Sequence, residues 1–225
     1  MVHYNLEIVF TDEQLDILNK NGAEIVVAKK GPVSGPNVAW QVWSPLKKNV
    51  LSWEERYGIY ASDALYNNGV TLTKLAATPV GTLPGRCYNL GSDASISGPD
   101  GPALPGAFTI TNNYPCSDGY LTMGLYQDAV VNGTVVPGHA VAAALVLYER
   151  AAAMDPGPGI YIWLQTGRDG NTVVTKCRSQ MTFLEFSREQ DAMTVTYNAE
   201  SGRFSAISSC LLTSPAEMPG AQMVV

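Results

Sequence analysis

Charge is scarce in this sequence. Only 15% of its 225 residues are Asp, Glu, Lys or Arg, against a usual share of about 25%, and the net charge is −6. Binding a nucleic-acid backbone takes clustered Lys and Arg, which are missing, so no nucleic-acid partner is expected. The two basic pairs, Lys29-Lys30 and Lys47-Lys48, stand beside turn signals and read as solvated loop ends. Long apolar runs are missing too. None approaches the roughly 20 residues of a membrane-spanning helix, so no transmembrane segment is expected. The stretch Met1–Glu7 lacks the basic and apolar regions of a signal peptide. Cytoplasmic synthesis is the expectation, with later release left open.

Catalytic motifs are equally thin. There are two histidines, His3 and His139, too few for a recurring zinc-ligand pattern and poorly placed for a Ser-His-Asp triad. No GxSxG, GxGxxG or Walker A sequence occurs. Neither a cofactor nor a metal is expected. The four cysteines (Cys87, Cys116, Cys177 and Cys210) lack CxxC spacing and are expected to stay reduced. The best acid/base pair is Glu54-Glu55. Neighbours in a strand point to opposite faces, so these two flank one substrate only if the strand is bulged. A hydrolase would otherwise need a distant carboxylate such as Asp63, Glu149 or Glu185.

What is present is β-patterning. Residues 4–10 alternate, with Leu6, Ile8 and Phe10 on one face. Thr11 to Gln14 forms a capping box that opens a helix of about nine residues, which Asn21-Gly22 stops. Strands then follow at short intervals: 24–28, 37–43, 53–60 (one strand, or two broken near Arg56), 70–74 and 87–90. A second series begins at Phe108. Asn132-Gly133 favours a type I′ hairpin.

Pieces of the two series resemble each other. Gly58-Ile59-Tyr60, Thr71 to Lys74 and Tyr88-Asn89 are echoed by Gly159-Ile160-Tyr161, Thr172 to Lys176 and Tyr197-Asn198. Gly91–Gly106 is rich in Gly, Pro and Ser. An all-β chain of two tandem immunoglobulin-like antiparallel β-sandwich domains, arisen by internal duplication and with one short helix in the first, is therefore expected. Its parts would be a first domain at 1–97, a linker at 98–106, and a second domain at 107–225 ending in a short tail.

Aromatic side chains beside polar ones can stack on an apolar face and hydrogen-bond at a rim. Trp43, Trp53, Tyr57, Tyr161 and Trp163, with Glu54 and Glu55, are the candidate ligand-binding residues. Ile160, Ile162 and Leu164 should share one strand face and leave Tyr161 and Trp163 on the other. Low charge, a polar Thr/Asn/Ser surface and absent catalytic motifs fit a non-enzymatic recognition protein. Such a protein would be lectin-like or surface-binding, including microbial or fungal defence and toxin types, with a glycan or cell-surface ligand. A self-assembling or storage β-protein, forming a homo-oligomer, and a carboxylate-dependent hydrolase are the alternatives.

Overall fold

The computed structural model describes residues 2–32, 35–177 and 179–207. The expected tail and Cys210 lie outside the described residues. The chain is mostly β, in several sheets, and its one helix among the described residues is Asp12–Lys20. That helix begins with the expected capping box. The Thr11 N–H donates to Gln14 Oε1 (3.1 Å) and the Gln14 N–H donates to Thr11 Oγ1 (3.2 Å). Leu18 is its buried anchor.

The largest sheet is open and mixed. Its strands run in the order Arg203–Ala206, Ala192–Asn198, His3–Val9, Lys48–Glu54, Tyr120–Val131, Gly58–Ser62, Ala76–Ala77, and Thr134–Leu147 also pairs with Tyr120–Val131. Two four-stranded sheets and a two-stranded one make up the rest of the sheet structure among the described residues. One of the four-stranded sheets contains Ala23–Lys29 beside Ile160–Thr166, and the other contains Arg86–Leu90 beside Phe108–Asn112. The main apolar core draws on the large sheet through Leu6, Leu51 and Ile59, and on the other two through Val27, Ile162 and Ile110. Ile160 and Ile162 face this core and Leu164 packs on it, whereas Trp163 belongs to a small cluster on the other side with Tyr161 packed against it. The alternation read from the sequence holds here.

The division at 98–106 is not how the sheets are built. His3–Val9 pairs in parallel with Ala192–Asn198, Ala23–Lys29 pairs with Ile160–Thr166, and Gly58–Ser62 pairs with Tyr120–Val131. Strands from both sides of the supposed linker thus complete each other's sheets, because a half-buried strand accepts any neighbour that continues its apolar face. The segment 98–106 is itself hydrogen-bonded. Asp100 N–H donates to Cys87 O (2.9 Å), Cys87 N–H to Gly101 O (3.2 Å), and Ala103 N–H to Gly85 O (3.0 Å).

The long hairpin of Tyr120–Val131 and Thr134–Leu147 turns at Asn132-Gly133. Both residues have positive φ, 49° and 81°, as a type I′ turn requires. Asparagine side chains close backbone groups of Thr134–Leu147. Asn37 brackets Ala143, accepting from its N–H at 3.3 Å and donating to its carbonyl at 2.5 Å. Asn171 Oδ1 accepts from the Ala140 N–H (2.8 Å), and Asn112 Nδ2 donates to Val146 O (2.9 Å). Side-chain closure of this kind blunts a strand edge against pairing with another chain.

Candidate functional site

Lys48–Glu54 and Gly58–Ser62 both pair with Tyr120–Val131, at its two ends. Between them the chain leaves the ladder at residues 55–57. The facing strand has register shifts between Leu125 and Tyr126 and between Gln127 and Ala129, which mark bulges at the same level. Bulges re-aim side chains and are common beside functional sites. Here the break turns Glu55 away from the ladder, and Gln127 fills the gap by donating to the Glu54 carbonyl.

Behind Glu55 lies a buried lysine. Ile25, Val27 and Lys29 succeed each other on one face of Ala23–Lys29, so Lys29 continues the face that points into the core and is 0% exposed. Its Nζ forms an ion pair with Glu55 Oε1 at 2.5 Å and also reaches the carbonyls of Gly157 (3.3 Å) and Pro158 (3.5 Å). All three ammonium protons thus have acceptors, the condition for tolerating a buried charge. Three aromatic rings surround the same nitrogen, with centroids at 5.2 Å (Trp53), 5.9 Å (Trp40) and 5.9 Å (Tyr57). Ring faces at such distances attract a cation.

Glu55 is correspondingly fixed. Oε1 accepts from Lys29 and from Trp53 Nε1 (3.1 Å), and Oε2 accepts from the Tyr57 hydroxyl. A carboxylate offers about four acceptor positions, so three are filled from within the protein. Its side chain stays 24% exposed and lines an open cleft of about 660 Å³ with Val2, Tyr4, Pro158, Phe186, Ser187 and Arg188. Lys29 cannot touch a ligand directly, whereas Glu55 can. Lys29, Trp53 and Tyr57 are positioning residues for it.

Burial shifts the titration of this cluster. Desolvation holds the Lys29 ammonium below the usual lysine value, and the Glu55 carboxylate opposes that effect. Desolvation pushes the Tyr57 hydroxyl well above the usual tyrosine value, with the Glu55 charge and their hydrogen bond adding to it. Tyr4, Tyr60, Tyr88 and Tyr126 are raised as well, each chiefly by burial. A raised tyrosine keeps its proton in the folded state where the unfolded chain loses it, so its contribution to stability is complete below about pH 10 and falls above that. Lys29 and Lys74, both lowered chiefly by burial, have the opposite sign, since a lowered lysine makes stability rise with pH up to about 10.5. Five groups stand against two. Alkaline titration should therefore show stability falling above about pH 10, with part of the tyrosinate absorbance of the 11 tyrosines appearing only as the protein unfolds. Complete tyrosinate formation by about pH 11 with the fold intact would contradict these burials.

The other sequence-selected residues are dispersed. Glu54 lies 3.7 Å from Arg56 and lines a separate cavity of about 200 Å³ that also contains His3 and Asp128. The two glutamates therefore do not flank one ligand, as alternation across a strand dictates. Asp128, which sequence reasoning did not select, is engaged by the Gly138 N–H at 2.7 Å. Trp43 is half-buried and donates to Asn49 Oδ1 (3.1 Å); Trp163 is fully buried and donates to Gln165 Oε1 (2.9 Å). Tyr161 is half-buried against the exposed Phe183, with ring centroids 4.9 Å apart.

The strand read over 37–43 is two. Val38–Ala39 pairs with Thr172–Val173 and Gln41–Trp43 with Ala23–Lys29, so the chain changes sheets at Trp40 and turns that ring into the main core. Trp40 and Lys29 were missed as members of the site. The reading of Lys29-Lys30 as solvated is corrected for Lys29, and the unbroken apolar run 25–28 that it ends, the mark of a strand buried on both faces, was the signal that could have found it. Comparison of the chain with family models, curated proteins and solved structures finds no match.

Proposed function

We propose that the chain is a non-enzymatic recognition protein that holds a small hydroxyl-rich ligand, of which a sugar is the first example to test, in the cleft over Glu55. The observation that carries this reading is the Glu55 carboxylate, fixed by Lys29, Trp53 and Tyr57 and open to the cleft on its remaining side. A preorganised acceptor loses little freedom when a hydroxyl donates to it. Arg188 and Ser187, both exposed on the rim, supply complementary donors. Glu55 is the one acidic residue of the cleft among the described residues. The general acid and base pair of a glycosidase is not assembled there, which favours binding over hydrolysis.

The expectation is tested by calorimetric titration with a panel of mono- and oligosaccharides, backed by a glycan array. Arg188→Ala should leave stability within about 0.5 kcal/mol, as exposed substitutions usually do. It should weaken binding about tenfold, the loss of one charge-assisted hydrogen bond. No heat of binding with any sugar at millimolar concentration would remove the lectin-like reading.

A further inference from the structure

A second cleft, remote in sequence from Glu55, is lined by Asn68, Gln165, Thr166, Arg168, Lys176 and Ser179, and measures about 600 Å³. One of its lining residues, Arg168, carries a buried guanidinium. Arg168 is 7% exposed, and its Nε is buried without any hydrogen-bond partner among the described residues. Nη1 reaches Val173 O at 3.3 Å and Nη2 reaches Asn68 Oδ1 at 3.4 Å. Both are long contacts to neutral acceptors, and Asn68 Oδ1 is shared with the N–H groups of Thr175 (3.2 Å) and Lys176 (3.3 Å). No carboxylate among the described residues lies within ion-pair distance of the guanidinium. Glu24 is engaged instead by the backbone N–H of Arg168, at 3.1 Å.

A guanidinium cannot relieve its burial by losing a proton. A buried charge is normally paired, and an orphaned buried donor calls for an explanation such as an ion. The described residues lining the cleft include no carboxylate: Lys176 is exposed at the rim and adds positive charge, and Gln165, Thr166 and Ser179 carry amide and hydroxyl groups.

The site is built by the two matching Thr-containing segments of the sequence. Thr71 bridges Thr172 in antiparallel fashion, Gly69 N–H donates to Val173 O (2.8 Å), and Val173 N–H donates to Val70 O (2.9 Å). This pairing sets Asn68 and Lys176 beside Arg168.

We propose that this cleft binds a small oxyanion, a carboxylate or a phosphate-like group, which completes the coordination of Arg168 with help from Lys176. The site is independent of the Glu55 cleft, so failure of either leaves the other standing.

Thermal melting and calorimetric titration of the full chain with inorganic phosphate, sulfate and acetate, each against sodium chloride at matched ionic strength, test it. At least one oxyanion should stabilise saturably, with half-saturation in the millimolar range, while chloride does not; which one saturates identifies the tetrahedral or the planar class. Lys176→Ala should melt as the native protein does without anion, yet bind about fivefold more weakly, and Arg168→Lys should abolish saturation. Should Arg168→Lys fail to fold, the exposed Lys176 variant still decides. Melting that follows ionic strength alone, or unchanged affinity in Lys176→Ala, would overturn the proposal.

Discussion

Glu55→Gln is expected to destabilise the protein by about 3 kcal/mol, the low end for breaking a buried ion pair from one side. For a chain of this size that is a fall in melting temperature of about 6–12 °C. The low end is appropriate because Glu55 is partly exposed and keeps some hydration. The damage lies on the other partner: Lys29 would remain fully buried, with its ammonium facing a neutral amide and two distant carbonyls. Lys29→Met should be milder, since a thioether packs well against Trp40, Trp53 and Tyr57.

The double variant Lys29→Met/Glu55→Gln should return to within about 1 kcal/mol of the native protein, because replacing both members of a buried pair is often nearly neutral. Urea denaturation of the four proteins gives the coupling energy directly. Simple additivity, or a Glu55→Gln variant as stable as the native chain, would mean that the pair does not hold the site as described.

Gly124→Ala should be at least as severe. Gly124 sits in Tyr120–Val131 between Tyr60 on one neighbouring strand and Ala143 on the other. An added Cβ would lie 1.9 Å from the Ala142 carbonyl oxygen and 2.8 Å from the Tyr60 ring. The same carbonyl accepts from the Tyr60 hydroxyl at 3.1 Å, so the methyl would displace a buried hydrogen bond as well as backbone. Overpacking usually costs about 1–3 kcal/mol, and here the obstacle is main chain in the longest hairpin. A loss above about 3 kcal/mol, or no folded protein, is expected. Gly101→Ala is the control, because nothing lies within 4 Å of its added Cβ, and it should be neutral within about 0.5 kcal/mol. A Gly124→Ala variant that unfolds with Gly101→Ala at the native midpoint would refute the close approach.

Local chemistry was readable where a few adjacent residues decide the outcome. Thr11 and Gln14 specify their helix start because each satisfies the other's backbone donor, and Asn132-Gly133 specifies its turn through two positive φ angles. Partnership between distant strands was not readable. The echoes Gly58-Ile59-Tyr60 and Gly159-Ile160-Tyr161 both lie on or against strands, yet the first leads into a strand beside Tyr120–Val131 and the second into one beside Ala23–Lys29. Three-residue matches record that both pieces enter buried strands and carry no information about their neighbours. Of the candidate site, Trp53, Glu55 and Tyr57 were in view and do come together. Lys29 was obscured by Lys30, whose exposure fits the basic-pair reading that its neighbour breaks.

The parallel pairing of His3–Val9 with Ala192–Asn198 imposes an order on the birth of the protein. At a synthesis rate of roughly 5–20 residues per second, the first strand waits about ten to forty seconds for this neighbour. Lys48–Glu54 reaches its other side much earlier. Throughout that interval an apolar-faced strand presents one open edge, the condition that invites pairing with another nascent chain. Glu7, held by Lys48 at 2.7 Å, places charge in the middle of the waiting strand and acts as its gatekeeper until the last strands emerge.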